Sequence, residues 1–360
     1  MTLRLAIIAD DLTGALDTLA PFAGTDFTTA AAVHVGAIEE ALATGAEIVA
    51  VSTASRALST QSAHAAARLA AEALHRANPE IVFKKIDSRL KGNVAAETAA
   101  IAEVFGSTAL LVMPAVPDQG RWVVNGHVVG HGVDLPLPID RLFADIGLPL
   151  HIVDVGSHAD LGRVLADGRC GAGILAVGAR GLGKAFADHL GRPAPERRFA
   201  TDRSTLFAIG SRDPITEAQI DYLRHRDRKL LIIDGPGGRL PDPSETTLPM
   251  VLRCTGARHD DPRDVAARFA GGTLRWLEAT GASTLFIGGG DTALAIFDAL
   301  GVNVLRPIGE MAPGVPVVEL PREGEVPLRC AMKSGGFGAE DVLARLLHDE
   351  VEGEGRHLSR

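Results

Sequence analysis

Short unbroken apolar runs recur along the chain, each closed by a polar or glycine-rich turn, and stretches of helical periodicity separate several of them. Leu5–Ala9 is the first, and Asp10-Asp11-Leu12-Thr13-Gly14-Ala15 turns it into a helix running through Asp17 and Leu19. Further strand-like runs are Ile48–Val51, Ile81–Phe83, Leu110–Met113, Ile152–Val155 and Ile174–Val177, with helical patterns at Thr60–Ala77 and Asn93–Val104. This alternation predicts an α/β fold built on a mostly parallel sheet with helices on both faces.

The periodicity fails at Gly191-Arg192-Pro193-Ala194-Pro195-Glu196-Arg197-Arg198, where Pro, Gly and charge replace apolar positions. A domain boundary is expected there. The pattern restarts with Leu206–Ile209 and Leu230–Ile233, then Thr284–Ile287 before Gly288-Gly289-Gly290-Asp291-Thr292-Ala293. The expectation is therefore two α/β domains, residues 1–192 and 200–350, joined by a linker at about 191–199. No internal repeat interrupts either half, and the polar tail from Glu350 to Arg360 is expected to fray.

A length of 360 residues suits two domains. The 46% hydrophobic and 22% charged content is that of a soluble globular chain. A net charge of −9 argues against a nucleic-acid partner, whose footprint would be basic. No segment approaches the roughly 20 apolar residues of a membrane span. The opening apolar run meets Asp10 and Asp11 too early to serve as a secretory signal, so a cytoplasmic location is expected. Cys170, Cys254 and Cys330 are odd in number and far apart, which reads as reduced thiols. The oligomeric state stays open, a homo-oligomer included.

The densest chemistry is Phe83-Lys84-Lys85-Ile86-Asp87-Ser88-Arg89-Leu90-Lys91-Gly92-Asn93, where four cations, a carboxylate, a hydroxyl and an amide follow an apolar run. Open α/β sheets bind ligands outside the carboxyl ends of their strands, where Lys and Arg meet carboxylate or phosphate oxygens. A solvated basic turn is the competing reading. Lys85, Arg89, Lys91 and Arg121 are candidates to hold a substrate carboxylate or steady a migrating phosphoryl group, and Asn93 to bond a hydroxyl or cap the next helix. Asp10 and Asp11 sit at a strand end before a helix, suited to binding hydroxyls, acting as base or capping that helix. Asp87, beside several cations, is the other candidate base or an ion-pair partner.

In the second half, Gly288, Gly289, Gly290, Asp291 and Thr292 lie between a strand and a helix start, where bare N–H groups form an anion site. Gly335, Gly336 and Gly338 offer a second wall, Ser211 follows the strand at Leu206, Lys333 is placed to neutralise phosphate, and Asp291 to reach Mg2+ or its water. Tight strand exits alone would also explain the glycines. Gly178-Ala179-Arg180-Gly181-Leu182-Gly183-Lys184 has P-loop spacing, but Ala185 stands where a hydroxyl must meet the metal. A dinucleotide site would need a second strand ending in an acid about 20 residues on, and the Pro-rich linker takes its place. His127 and His131 stand among Val128, Val129 and glycines that favour extended or loop structure over the helix that would align them on a metal.

Taken in order, Asp10-Asp11-Leu12-Thr13-Gly14-Ala15, Lys84-Lys85-Ile86-Asp87-Ser88 with Gly92-Asn93, Pro114-Ala115-Val116-Pro117 with Gly120-Arg121 and Gly126-His127, Gly210-Ser211 with Thr216 and Gln219, Gly289-Gly290-Asp291-Thr292-Ala293, Gly314-Val315-Pro316 and Lys333-Ser334-Gly335-Gly336-Phe337-Gly338 resemble the motif series of the four-carbon acid sugar kinases. That resemblance spans nearly the whole chain. It implies an acid-binding N-terminal domain, an ATP-binding C-terminal domain and an active-site cleft between them. It further implies MgATP-dependent phosphorylation of threonate, erythronate or 3-oxo-tetronate, at the terminal hydroxyl. Asp10, Asp11, Lys85, Asp87, Ser88, Arg89, Lys91, Asn93 and Arg121 would serve the acid, with Asp87, Asp11 and Arg121 in catalysis. Ser211, Gly288 to Thr292, Lys333, Ser334, Gly335 and Gly336 would serve the nucleotide.

Three positions depart from the family pattern, among them Lys91 where Arg is usual. Arg89 stands where Thr is usual and Gly336 where Asn is usual, and the segment from Gln219 to Gly256 is shorter than in many relatives. A catalytically idle binding regulator on the same scaffold is the alternative reading.

Overall fold

The computed structural model describes residues 2–193, 199–201, 203–256, 260–322, 324 and 326–347. Most of the expected linker and the tail from Glu350 lie outside the described residues. Two large sheets carry the chain. In the first, the order is Val304–Leu305, Thr29–Ala32, Ile48–Ser52, Leu5–Ala9, Ile81–Lys85, Ile174–Gly178, Ala109–Met113 and Leu150–Ile152. Every pairing is parallel except the one at Val304–Leu305, a short strand from the second half that closes the edge of the first sheet. In the second, Leu231–Pro236, Met250–Thr255, Thr205–Ile209, Thr284–Gly288 and Leu328–Lys333 run parallel, then Val315–Leu320 and Pro307–Ala312 run antiparallel.

The unbroken apolar runs have the expected cause. All five residues of Leu5–Ala9, Ile48–Ser52, Ala109–Met113 and Thr205–Ile209 are buried, because helices cover both faces of a parallel sheet and leave no strand face to water. Helices Thr60–His75 and Val94–Phe105 form where the pattern places them, the first capped by Ser59 through the Ser62 N–H and the second ended by left-handed Gly106.

Both sheets reverse their strand order at one point. In the first, the chain leaves Leu5–Ala9 for strands on one side and later crosses to Ile81–Lys85 on the other. In the second, Thr205–Ile209 and Thr284–Gly288 flank the equivalent point. Such switch points open a crevice at the carboxyl ends of the strands. They place Asp10, Asp11 and Asp87 at one crevice, and Ser211 and Gly290 at the other.

Several expectations are corrected. The run Ile152–Val155 is a strand only over Leu150–Ile152. Beyond it Asp154 turns out to accept the Asn125 and Gly126 N–H groups at 2.7 and 2.9 Å, and Val155 bridges to Val123. Strand Ile81–Lys85 is longer than its apolar core, since Lys84 and Lys85 continue it into the interior. A third, antiparallel sheet of Arg121–Val124, His127–Gly130 and Leu137–Pro138 carries His127 in extended chain and turns Arg121 inward.

Candidate active site

A cavity of about 30 Å3 lies where the two halves meet, lined by Asp11, Thr13, Gly14, Asp17, Arg56, Lys85, Asp87, Ser88, Arg89, Gln119, Arg121 and Arg180 from the first half and Ser334, Gly336 and Phe337 from the second. Its charged lining is five cations and three carboxylates, so the excess is positive and suits an anion.

The acidic end is built by the turn after Leu5–Ala9. Asp11 caps helix Leu12–Leu19, its Oδ1 accepting the Gly14 N–H at 2.7 Å and its Oδ2 accepting the Thr13 hydroxyl at 3.1 Å. A Cβ at Gly14 would lie 3.0 Å from Lys85 Nζ, so glycine there lets the ammonium close against the helix. Asp10 gives both oxygens to Arg56, at 2.6 and 2.9 Å, and Arg56 Nη1 reaches Asp11 Oδ2 at 2.7 Å. Burial alone would raise Asp10, but the Arg56 charge and hydrogen bond, with Lys84 and Lys85 behind, outweigh it and hold the carboxyl at about 2. Asp10 therefore sits behind the cavity wall as the anchor of Arg56.

The basic loop is equally specific. Asp87, which lines the cavity, accepts the backbone N–H groups of Arg89 and Lys91 on Oδ1 at 2.8 and 3.4 Å, a local turn that engages one carboxylate oxygen. Leu90 in this loop and Ala54 just before Arg56 hold left-handed φ angles of 57° and 48°. Such strain, about 1 kcal/mol or more each, is kept where surrounding contacts over-determine the backbone. The solvated-turn reading fails for the first two lysines: Lys84 is fully buried against Glu97, and Lys85 is 5% exposed with Nζ 3.8 Å from Asp17. Lys91 is exposed and does not line the cavity. Asn93 spends its amide on the carbonyls of Leu58 and Ser55, at 2.9 and 3.3 Å, tying down the loop that carries Arg56.

Arg121 is 3% exposed, yet no carboxylate lies within ion-pair distance of it among the described residues. Its N–H groups donate to His131 O, Ser88 Oγ, Gln119 Oε1 and Gly336 O at 2.8 to 2.9 Å, which fixes the fork without neutralising it. Burial and the Arg89 charge lower it from its ordinary value. The charges of Asp87 and Asp213 oppose that fall without reaching ion-pair distance, and a buried guanidinium held only by neutral acceptors suits an anion.

Sequence reasoning missed Arg56, Asp17 and Arg180 as cavity residues. Arg180 lies in the P-loop look-alike, where it pairs with Asp118 and with Glu310 of the second half at 2.8 Å. Lys184, the look-alike's lysine, instead pairs with Asp188 one helical turn on, at 3.0 Å. The signal available for Arg56 was its place just past the strand Ile48–Ser52.

Asp17 is pushed up to about 6, first by burial and against the pull of Lys85 and Arg180, with Asp11 adding to the rise and the Thr18 hydroxyl opposing it. A carboxyl raised in the folded state binds more protons there than in the unfolded chain, so its ionisation costs stability as pH climbs from about 4 to 6, and the cost persists above. Asp17→Asn should therefore raise folding stability at pH 8 by about 1–3 kcal/mol and leave it unchanged near pH 4. Urea melts at the two pH values check this; equal shifts at both would contradict it.

In the second half, helix Gly290–Ala299 has no side-chain cap at its N-terminus, which follows Gly289 at φ 118°. A Cβ at Gly290 would lie 2.9 Å from Asp11 Oδ2, so the first turn of this helix abuts the acidic end of the cavity. Asp291 is exposed on that turn, and Thr292 is buried against Gly210. Gly288 O accepts the N–H groups of Gly210 and Ser211, and Gly335 packs on the Ser211 hydroxyl, which gathers the glycine motifs into one wall. Lys333 is turned under its own loop, Nζ donating to the carbonyls of Ser334 and Phe337 at 3.1 and 3.2 Å, and burial lowers it to about 7. Among the described residues no helix is long and apolar enough to cross a membrane, and no three His, Cys, Asp or Glu side chains gather as a metal site.

Known proteins resemble the chain in both halves. Residues 5–139 match a sugar-binding N-terminal domain and residues 251–343 a nucleotide-binding C-terminal domain. The chain is 28% identical to the D-threonate kinase of Bordetella bronchiseptica, covering 95% of this chain and 96% of that one. It is 25% identical to the 3-oxo-tetronate kinase of Brucella melitensis, covering 94% of each. A D-erythronate kinase of Heliobacterium modesticaldum is 33% identical over 41% of this chain and 34% of its own length. A solved protein of Salmonella typhimurium superposes with a TM-score of 0.68 at 18% identity, covering 97% of this chain and 100% of that one, a likeness of fold alone. Domain order, the ordered motifs and these near full-length relatives agree, and the chain belongs to the four-carbon acid sugar kinase family.

Proposed function

We propose that the protein transfers the terminal phosphoryl group of ATP to a four-carbon sugar acid of the threonate or erythronate type, on its terminal hydroxyl. The observation that carries this reading is Arg121, a buried guanidinium without a carboxylate partner, facing a cavity whose other groups are carboxylates and cations. Arg121, Lys85 and Ser88 receive the acid's carboxylate; Asp11 and Asp87 bind its hydroxyls, and Asp87 takes the proton of the reacting one. The names of the relatives, threonate, 3-oxo-tetronate and erythronate kinase, support the substrate class.

Residues 200–350 form the nucleotide-binding domain in this reading, and residues 1–192 bind the acid. The uncapped first turn at Gly290 and the Gly335–Gly336 loop suit phosphate, because their bare N–H groups allow close approach. Mg2+ would ride on the nucleotide phosphates with Asp291 as the nearby protein carboxylate, supplying charge neutralisation. The Arg89–Asp213 and Arg180–Glu310 pairs, at 2.9 and 2.8 Å, join the two halves beside the cavity.

Incubation with MgATP and a panel of D-threonate, L-threonate, D-erythronate and 3-oxo-tetronate, read by mass spectrometry, tests this. Preferential phosphorylation of neutral tetroses would contradict it, since they leave Arg121 unpaired.

The nucleotide assignment has its own test. Gly290→Val should weaken ATP binding at least about tenfold, roughly 1.4 kcal/mol, because its side chain would strike Asp11 and displace the first turn. Lys184→Ala, which removes only an exposed pair with Asp188, should change it less than about threefold. The reverse ranking in folded variants would move the nucleotide to the first half.

A further inference from the structure

Arg89 and Gly336, two of the departures from the family pattern, lie against each other. Gly336 does not need glycine for its backbone, since its φ is not in the left-handed region. A Cβ there would overlap the Arg89 guanidinium as it lies, so a side chain at this position would push that flexible end aside.

Arg89 also differs from its neighbours in how it is held. Arg56 is tied by Asp10 and Asp11, Arg180 by Asp118 and Glu310, and Arg121 by four acceptors. The guanidinium of Arg89 has one hydrogen bond, Nη2 to Asp213 Oδ2 at 2.9 Å, and its remaining N–H groups have no partner among the described residues. Asp213 belongs to the second half, where its other oxygen caps helix Pro214–Arg226 through the Ile215 N–H. Arg89 therefore lines the cavity from the first half and ends against the Gly336 loop of the second. It is well placed to leave a single carboxylate oxygen for a stronger, two-pronged anion.

We propose that Arg89 is the cation that meets the phosphoryl group in flight, exchanging Asp213 for the terminal phosphoryl oxygens when nucleotide binds, with Gly336 leaving room for that movement. This rests on the kinase reading above. In the step, the acceptor hydroxyl oxygen bonds to the terminal phosphorus while the bond from that phosphorus to the bridging oxygen breaks. ADP leaves with the bond's electrons and the hydroxyl proton passes to Asp87. Charge spreads over the three equatorial oxygens, and a planar guanidinium can bond two of them at once. Arg121, locked by its acceptors, stays on the acid.

The test compares binding of the imido analogue of MgATP, which carries the terminal phosphoryl group, with binding of MgADP, which lacks it. By calorimetry, Arg89→Ala should weaken the analogue at least about tenfold and leave MgADP within about threefold. Arg89→Lys, which keeps charge without the fork, should fall between. Gly336→Asn, which crowds the Arg89 guanidinium, should weaken the analogue as well. With the acid identified, Arg89→Ala should cut kcat at least about 100-fold with KM for the acid little changed.

Equal weakening of both nucleotides by Arg89→Ala, no weakening of either, or a loss confined to acid binding would each overturn the assignment. If the native protein phosphorylates no four-carbon acid yet Arg89 still discriminates the analogue from ADP, the acceptor reading fails and the role of Arg89 stands.

Discussion

Glu97→Ala should cost about 3–5 kcal/mol of folding stability, the largest loss expected from a single substitution away from the cavity. Glu97 and Lys84 form an ion pair whose side chains are 1% and 0% exposed, between strand Ile81–Lys85 and helix Val94–Phe105. The second carboxylate oxygen accepts the Ser55 hydroxyl at 2.8 Å, which braces the loop leading to Arg56. Removing the carboxylate leaves an ammonium buried without a counter-charge, and that penalty exceeds the worth of the pair itself. Replacing both partners, Lys84→Met with Glu97→Leu, should recover most of the loss. Urea denaturation of the three variants decides it: a loss under about 1 kcal/mol for Glu97→Ala would mean that water reaches Lys84. The basic run after Phe83 thus contains one lysine that serves the fold.

Asp87→Asn should lower kcat by about 10²–10⁴-fold while MgATP binds within about threefold of the native protein. The amide oxygen can still accept the Arg89 and Lys91 N–H groups, so the loop keeps its shape and only basicity is lost. Turnover within about tenfold of native would remove Asp87 from the base role, and loss of ATP binding as the main defect would overturn the division of labour. Asp11→Asn cannot make this separation. Asp11 caps its own helix, pairs with Arg56 and abuts Gly290, so its replacement should disturb acid and nucleotide sites together.

The periodic apolar runs determined by themselves that the chain is an α/β protein with parallel sheets. Buried strands are read directly from sequence when both faces are covered, since every position must then be apolar. The cavity residues Asp11 and Asp87-Ser88-Arg89 were legible for a related reason: strand ends at a switch point carry polar residues in short, contiguous segments. Strand Thr29–Ala32 was not legible, because Thr-Ala-Ala-Ala has little intrinsic strand preference and is held by its neighbours and by Val304–Leu305. The hairpin at Asn125-Gly126 carried a recognisable turn signal, with φ of 49° and 72°, that the strand assignment did not use.

What each charge does was decided only by tertiary structure. Lys84, Lys85, Arg89 and Lys91 are nearly adjacent in sequence, yet one is buried on Glu97, one faces the cavity beside Asp17, one reaches across to Asp213 and one is exposed. Their partners lie on other elements, up to 124 positions away for Arg89 and Asp213. Electrostatic roles depend on distance and burial in space, which local sequence does not encode. Arg56 and Arg180 entered the cavity for that reason, and the link between Arg89 and Gly336 could be seen only once the two halves had met.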